Sequence, residues 1–321
     1  MSGPRVRLVG PHPITVEEIP ALNLLFSDAF SERYRRDGMT GVRVPPLNPS
    51  LWRFAIEAAG AGAMCWRDPQ GRIAAFNLAH VSGCEGWMGP LVVREDLQGQ
   101  GVGRTIVTAG IQRLIDAGCR IIGLETMPRT MDNIGFYARL GFVPTHLTIT
   151  VTLEAGSPAG PPPERLSALR GALWGRAMAE IAACADQVRP GADYTREIEG
   201  TVHHGVGDAV LVRDPAGAVC GFALVHEVPL VEGRVLEELR VLKLVVRDAE
   251  ALPGLLERLG VAARQAGASR IALRLQGGYP DLLRQCVATG ARVRWTDLRM
   301  TLAGYAEPTP TRGIVLSNWE L

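Results

Sequence analysis

The sequence predicts an α/β (α+β) fold built as two tandem units, each a mixed sheet flanked by helices. Three observations carry that expectation: an internal repeat, a Pro/Gly-rich break between its copies, and alternating strand-like and helix-like periodicity in the first copy. The stretch from Gly71 to His80 returns from Gly217 to His226, an offset of 146 residues (217 minus 71). Asp116-Ala117-Gly118 returns as Gln265-Ala266-Gly267, and Leu140-Gly141 as Thr289-Gly290, both at an offset of 149. The break runs from Glu154 to Pro163, and its Pro/Gly content predicts an extended linker over 154–163. The expected organisation is therefore 1–153, linker, 164–321.

A chain of 321 residues, 47% hydrophobic, suits two cores of about 150 residues each. Basic and acidic side chains number 34 and 33, for a net charge of +1. That balance argues against nucleic-acid and membrane-surface partners, which select basic patches. No uninterrupted apolar run of about 18 residues occurs, and Met1 to Arg5 opens no signal-peptide core, so a cytoplasmic protein is expected. The six cysteines form no metal-ligand spacing and read as reduced thiols; no metal is expected. Lys243 is the only lysine.

Within the first copy, Thr15 and Glu18 have capping-box spacing and open an amphipathic helix towards Arg35. Asn48-Pro49 caps a second helix that runs to Gly60. Ile73–His80 and Trp87–Val93 read as strands, the second apolar enough to be central. Apolar residues from Val102 to Ile115 fall at helical spacing, and Gly118 closes that helix. A strand at 120–126, a helix at 130–140 and a strand region at 142–153 complete the unit. The second copy shows no obvious opening strand before a helix beginning near Glu164. Its tail, Gly313 to Trp319, reads as a strand that either fills the missing position or crosses to the first unit.

The chemistry concentrates where a strand meets a glycine-rich loop and a helix: Leu91-Val92-Val93, then Gln98-Gly99-Gln100-Gly101-Val102-Gly103-Arg104. A helix start exposes unpaired N–H groups and the positive dipole end, and glycines let phosphate oxygens approach them. A Walker loop is excluded because Arg104-Thr105 follows Gly103 without the fixed lysine. A dinucleotide fingerprint is excluded because Ile106 stands three residues past Gly103.

The stretch Val93–Gly103 resembles the acyl-CoA loop of the GNAT N-acetyltransferases, whose pattern is Arg/Gln-x-x-Gly-x-Gly/Ala. Asn133 to Phe142 is similar to that family's downstream helix, with Asn133, Tyr137 and Gly141-Phe142 at the expected spacing. The resemblance spans most of 5–153 and implies two tandem GNAT-like domains, each a mixed, mostly antiparallel sheet flanked by helices. It implies acetyl-CoA, or another acyl-CoA, as cofactor. Amides of Gly101, Val102, Gly103 and Arg104 would bind pyrophosphate, strand 87–93 the pantetheine arm, and Asn133 the cofactor. Tyr137 would be the general acid that protonates the departing thiolate.

For the general base, Glu125 is the first candidate and Glu85 the second. A relay through His80 is the weaker alternative, since His80 and His226 share one repeat position and so suggest a packing role. Placing Val246 on Val93 sets Ala251 opposite Gln98, Gly254 opposite Gly101 and Leu256 opposite Gly103; Gly290 on Gly141 sets Cys286 opposite Tyr137 and Leu282 opposite Asn133. The second copy thus lacks the phosphate loop. The expected function is direct acyl transfer to a primary amine of a small molecule, by a monomer or homodimer. The competing readings are a protein or peptide acetyltransferase and a non-catalytic acyl-CoA sensor.

Overall fold

The computed structural model describes residues 8–156 and 160–319. The opening residues 1–7, the linker residues Ser157 to Ala159 and the last two residues lie outside them. In the first half the order is β1 (Val9–Pro13), α1 (Ile19–Arg36), α2 (Pro49–Ala59), β2 (Ala63–Arg67), β3 (Ile73–Ser82), β4 (Glu85–Val93), α3 (Val102–Asp116), β5 (Ile121–Thr126), α4 (Met131–Ala138) and β6 (Phe142–Glu154). The capping box forms: the Thr15 N–H donates to Glu18 at 3.0 Å, ahead of a 3-10 turn that leads into α1. Asn48 caps α2 by accepting from the Ser50 N–H at 3.0 Å. Strands β1 and β2 are additional to the expected elements; both are too short for their alternation to stand out.

The second half runs β7 (Glu164–Arg165), α5 (Ala172–Val188), α6 (Thr195–His203), β8 (Gly207–Arg213), β9 (Val219–His226), β10 (Glu238–Val246), α7 (Leu252–Gln265), β11 (Arg270–Gln276), α8 (Pro280–Ala288), β12 (Arg292–Leu302) and β13 (Ile314–Ser317). Glu164 therefore begins a two-residue edge strand, and the helix expected there starts eight residues later, at Ala172.

All thirteen strands join one sheet, in the order β1-β2-β3-β4-β5-β12-β6-β11-β10-β9-β8-β7, with β13 on β10. The halves exchange their long strands: β12 pairs β5, β6 pairs β11, and β12 and β6 pair each other. Helices cover both faces. Alternation along β3 sends Phe76 and Leu78 to the core under α1 and α2, and Ala75 and Ala79 to the core under α3 and α4. The second half repeats this with α5 and α6 on one face and α7 and α8 on the other. Among the described residues no helix is long and apolar enough to cross a membrane, and no three His, Cys, Asp or Glu side chains group to hold a metal. The six cysteines are unpaired, five of them buried.

Candidate active site

Strand β4 pairs in parallel with β5 only from Glu85 to Met88, opposite Ile121 to Leu124. Beyond Met88 the two strands part. Leu91, Val92 and Val93 stay bonded to β3, opposite Asn77, Phe76 and Ala75, while β5 turns to β12. A wedge-shaped slot results, with its apex at Met88 and its mouth at Val93. One edge of it is the backbone of Gly89 to Val93.

The glycine loop stands at the mouth. The Gln98 side chain donates to the Val93 carbonyl at 3.1 Å, and Gln100 donates to the Asp96 carbonyl at 2.8 Å, which braces the turn. Gly101 has φ of 88°, a left-handed conformation costly for any other residue, and there the chain turns into α3. The first bond of the helix runs from the Thr105 N–H to the Gly101 carbonyl, so the N–H groups of Val102, Gly103 and Arg104 have no partner within it. A Cβ built on Gly101 meets nothing within 4 Å, whereas one on Gly103 lies 3.2 Å from the Phe136 ring of α4. These features fit a pyrophosphate: free amides, a helix dipole and open space on the backbone.

Helix α4 lies against the start of α3. Tyr137 is buried in the same cluster as Leu91, Val93 and Val102. Its hydroxyl has no hydrogen-bond partner among the described residues, and burial pushes the phenol up to about 12, so it stays protonated near neutrality. Asn133 stands one turn before Tyr137 on the same helical face, half-buried. Strand 91–93, loop 98–104, Asn133 and Tyr137 are thus brought together.

Glu125 and Glu85 sit elsewhere, on the opposite face of the sheet. Glu125 accepts from Arg299 at 2.7 Å and also from Arg274 and Thr148. Burial alone would raise its carboxyl, but the two guanidinium groups overcome that and hold it at about 2. Glu85, fully buried, accepts from Arg189 and from the Tyr194 hydroxyl, each at 2.6 Å. It too is held at about 2, with burial opposed by Arg189 and Lys243. Neither carboxylate has much basicity left. His80 lies closest to the slot: its Nε2 is 3.2 Å from the Gly89 carbonyl oxygen, and burial lowers its pKa to about 3. The arginine partners of Glu85 and Glu125 come from the second half, and no short-range pattern announces Arg189, Arg274 or Arg299.

Also on that face is a recess of about 530 Å³ between the halves. Pro45, Thr150, Arg240, Arg270, Arg274 and Trp295 help to line it.

In the second half the phosphate loop is absent. A 3-10 turn at Ala249–Ala251 leads directly into α7, whose second residue is Pro253 where α3 has Gly103. Leu256, set opposite Gly103 by the sequence, stands three residues further into the helix and packs, partly buried, against the core. Helix α8 carries Leu282 and Cys286, both buried.

A helix-start amide cradle stands at the mouth of a slot between parting parallel strands, in a mixed α/β fold. Residues 25–142, within the first half, match the model of the acetyltransferase (GNAT) family. Similar solved structures span nearly the whole chain. They include a putative acetyltransferase from Pyrococcus horikoshii, at 17% identity over 100% of this chain and 96% of that one, TM-score 0.63. A tandem GNAT protein from the clavulanic acid biosynthesis pathway matches at 15%, over 94% and 100%, TM-score 0.60. The N-myristoyltransferase of Saccharomyces cerevisiae with bound myristoyl-CoA matches at 10%, over 95% and 84%, TM-score 0.61. At these identities the likeness is one of fold. No curated protein sequence matches the chain significantly.

Proposed function

We propose that the chain is a cytoplasmic, acetyl-CoA-dependent N-acetyltransferase that acts on the primary amine of a small molecule by direct transfer. In this reading 1–153 is the catalytic unit, 154–163 the linker and 164–321 a unit without a cofactor. The observation that carries it is the slot between β4 and β5 opening on the amide-lined start of α3.

When bound, acetyl-CoA supplies an activated thioester. The N–H groups of Gly101, Val102, Gly103 and Arg104, with the loop Gln98-Gly99-Gln100, hold its pyrophosphate, each charge–dipole contact contributing about 0.3–1 kcal/mol. The backbone of Leu91, Val92 and Val93 offers its free edge to the amide-bearing arm, and Asn133 braces it from α4. Tyr137 keeps its proton near neutrality and would be the acid for the departing sulfur, a contribution of about 10²–10⁴-fold. Glu125, a carboxylate throughout the neutral range and held by Arg274, Arg299 and Thr148, stores no proton. The acceptor enters as the free amine, and the proton it loses on forming the amide returns through solvent to the Tyr137 oxygen.

The recess between the halves supports a small acceptor, since its roughly 530 Å³ lies in the range of small-molecule sites. Its arginine lining favours an amine that also bears a carboxylate or phosphate. The test is calorimetry with acetyl-CoA, followed by a thiol-release screen of amines. One site per chain and turnover with anionic amines support the reading. Turnover only with peptides would move the acceptor to the protein class, and binding without any turnover would favour a sensor.

A further inference from the structure

The two halves repeat not only their elements but the register of the slot. Glu85–Met88 pair in parallel with Ile121–Leu124, and Glu238–Val241 pair in parallel with Arg270–Leu273. The offset is 153 on one strand and 149 on the other, so the strands part at the same point in both halves. In the second half, the segment equivalent to Pro90–Val93 is Lys243–Val246. Its free edge is taken by β13, with Lys243 opposite Ser317, Leu244 opposite Leu316, Val245 opposite Val315 and Val246 opposite Ile314. The chain's own tail therefore lies where, in the first half, a pantetheine arm would lie.

The tail continues from that slot into the first half. Lys243 Nζ donates to the Asn318 carbonyl at 2.9 Å and to the Ser317 hydroxyl at 3.2 Å, and lies 4.3 Å from the Trp319 ring centroid. The Asn318 side chain is tied to Gln276 at 2.7 Å. Trp319 then stacks flat on His80, 3.9 Å between ring centroids and 8° between planes, and packs beside Cys84, Trp87 and Ile121. His80 in turn meets the carbonyl of Gly89, the first residue past the apex of the first slot. An arm entering at Val93 and running back along four strand residues, about 13 Å, ends at this apex.

We propose that the C-terminal segment Gly313–Trp319 is a positioning element for the first site: its strand permanently fills the second slot, and the Trp319 it delivers sets the apex of the first slot through His80 and Gly89. The inference rests on the reading that the first slot binds acyl-CoA. It goes beyond that reading because it gives the cofactor-less half a task at the thioester end.

The test compares acetyl-CoA with CoA by calorimetry on the full chain, because only the acetyl group senses the apex. Trp319→Leu keeps an apolar side chain of smaller volume but removes the stack and the contact with Lys243; Trp319→Phe keeps a ring. The expected result is about a fivefold loss of preference for acetyl-CoA over CoA in Trp319→Leu, from a ring pair worth about 1 kcal/mol, and recovery of most of it in Trp319→Phe. A weakening shared equally by both ligands, or an unchanged ratio, would overturn the inference while leaving the first site intact. Absence of acetyl-CoA binding to the wild type would overturn both.

Discussion

Glu85 and Arg189 meet across the junction of the two halves at 2.6 Å, the carboxylate fully buried and the guanidinium 4% exposed. Arg189 continues to Glu307 at 3.0 Å, Glu307 to Arg299 at 2.6 Å, and Arg299 to Glu125 at 2.7 Å. One unbroken ion-pair chain therefore joins the two carboxylates that the sequence singles out. Breaking a buried pair from one side leaves a charge uncompensated. Arg189→Ala should lower unfolding free energy by about 3–5 kcal/mol, measured by urea titration. A loss under about 1 kcal/mol would show that the chain contributes little to the junction.

The same chain sets a pH dependence. Glu85 and Glu125 are held at about 2, below their unfolded value of about 4.3, so both are charged in the folded state under mild acid. Their stabilisation is present above the unfolded value and is lost as pH falls through about 4 towards 2. Thermal melts at pH 7, 5, 4 and 3 should show little change to pH 5 and a steep fall below it. In Glu125→Gln that fall should be shallower.

Glu125→Gln also separates two roles. With Arg274 and Arg299 deprived of their anion, stability should drop by about 2–3 kcal/mol. Turnover per folded molecule should change less than tenfold, with no shift in its pH profile. A loss above about a hundredfold with unchanged stability would restore Glu125 as the base.

Tyr137→Phe should lower turnover by about 10²-fold or more while moving acetyl-CoA affinity less than about twofold. The substitution removes only a hydroxyl that has no internal partner, so the core around Phe142 and Ile106 should hold. Full activity in the variant would end the assignment of the acid.

Gly103→Glu should reduce acetyl-CoA binding below calorimetric detection, because a carboxylate would face the cradle and a Cβ would press on Phe136. Leu256→Gly, at the position that sequence matching sets opposite Gly103, should leave the stoichiometry at one per chain. Two sites in that variant would mean that β13 can be displaced from its slot.

Much of the fold was legible because its signals are local. The capping box at Thr15, the Asn48 cap, the glycines that end α3 and the strand–loop–helix join each depend on neighbours within a few residues. The residues proposed to hold the cofactor backbone belong to this group, since Leu91–Val93 and the glycine loop follow one another along the chain. Strands β1, β2 and β7 escaped because two to five residues carry too little periodicity to stand out.

The sequence by itself determined the repeat, the tandem mixed α/β architecture, the single glycine loop and its loss in the second half. Each is written in residue type at fixed spacing, and backbone geometry translates spacing into structure directly. Only the tertiary structure decided the exchange of β6 and β12, the ion pairing of Glu85 and Glu125, and the path of the tail from β10 to His80. These are contacts between residues as far as 239 positions apart (319 minus 80). What selects them is the mutual burial of charge and apolar surface, and that exists only once both halves are folded together.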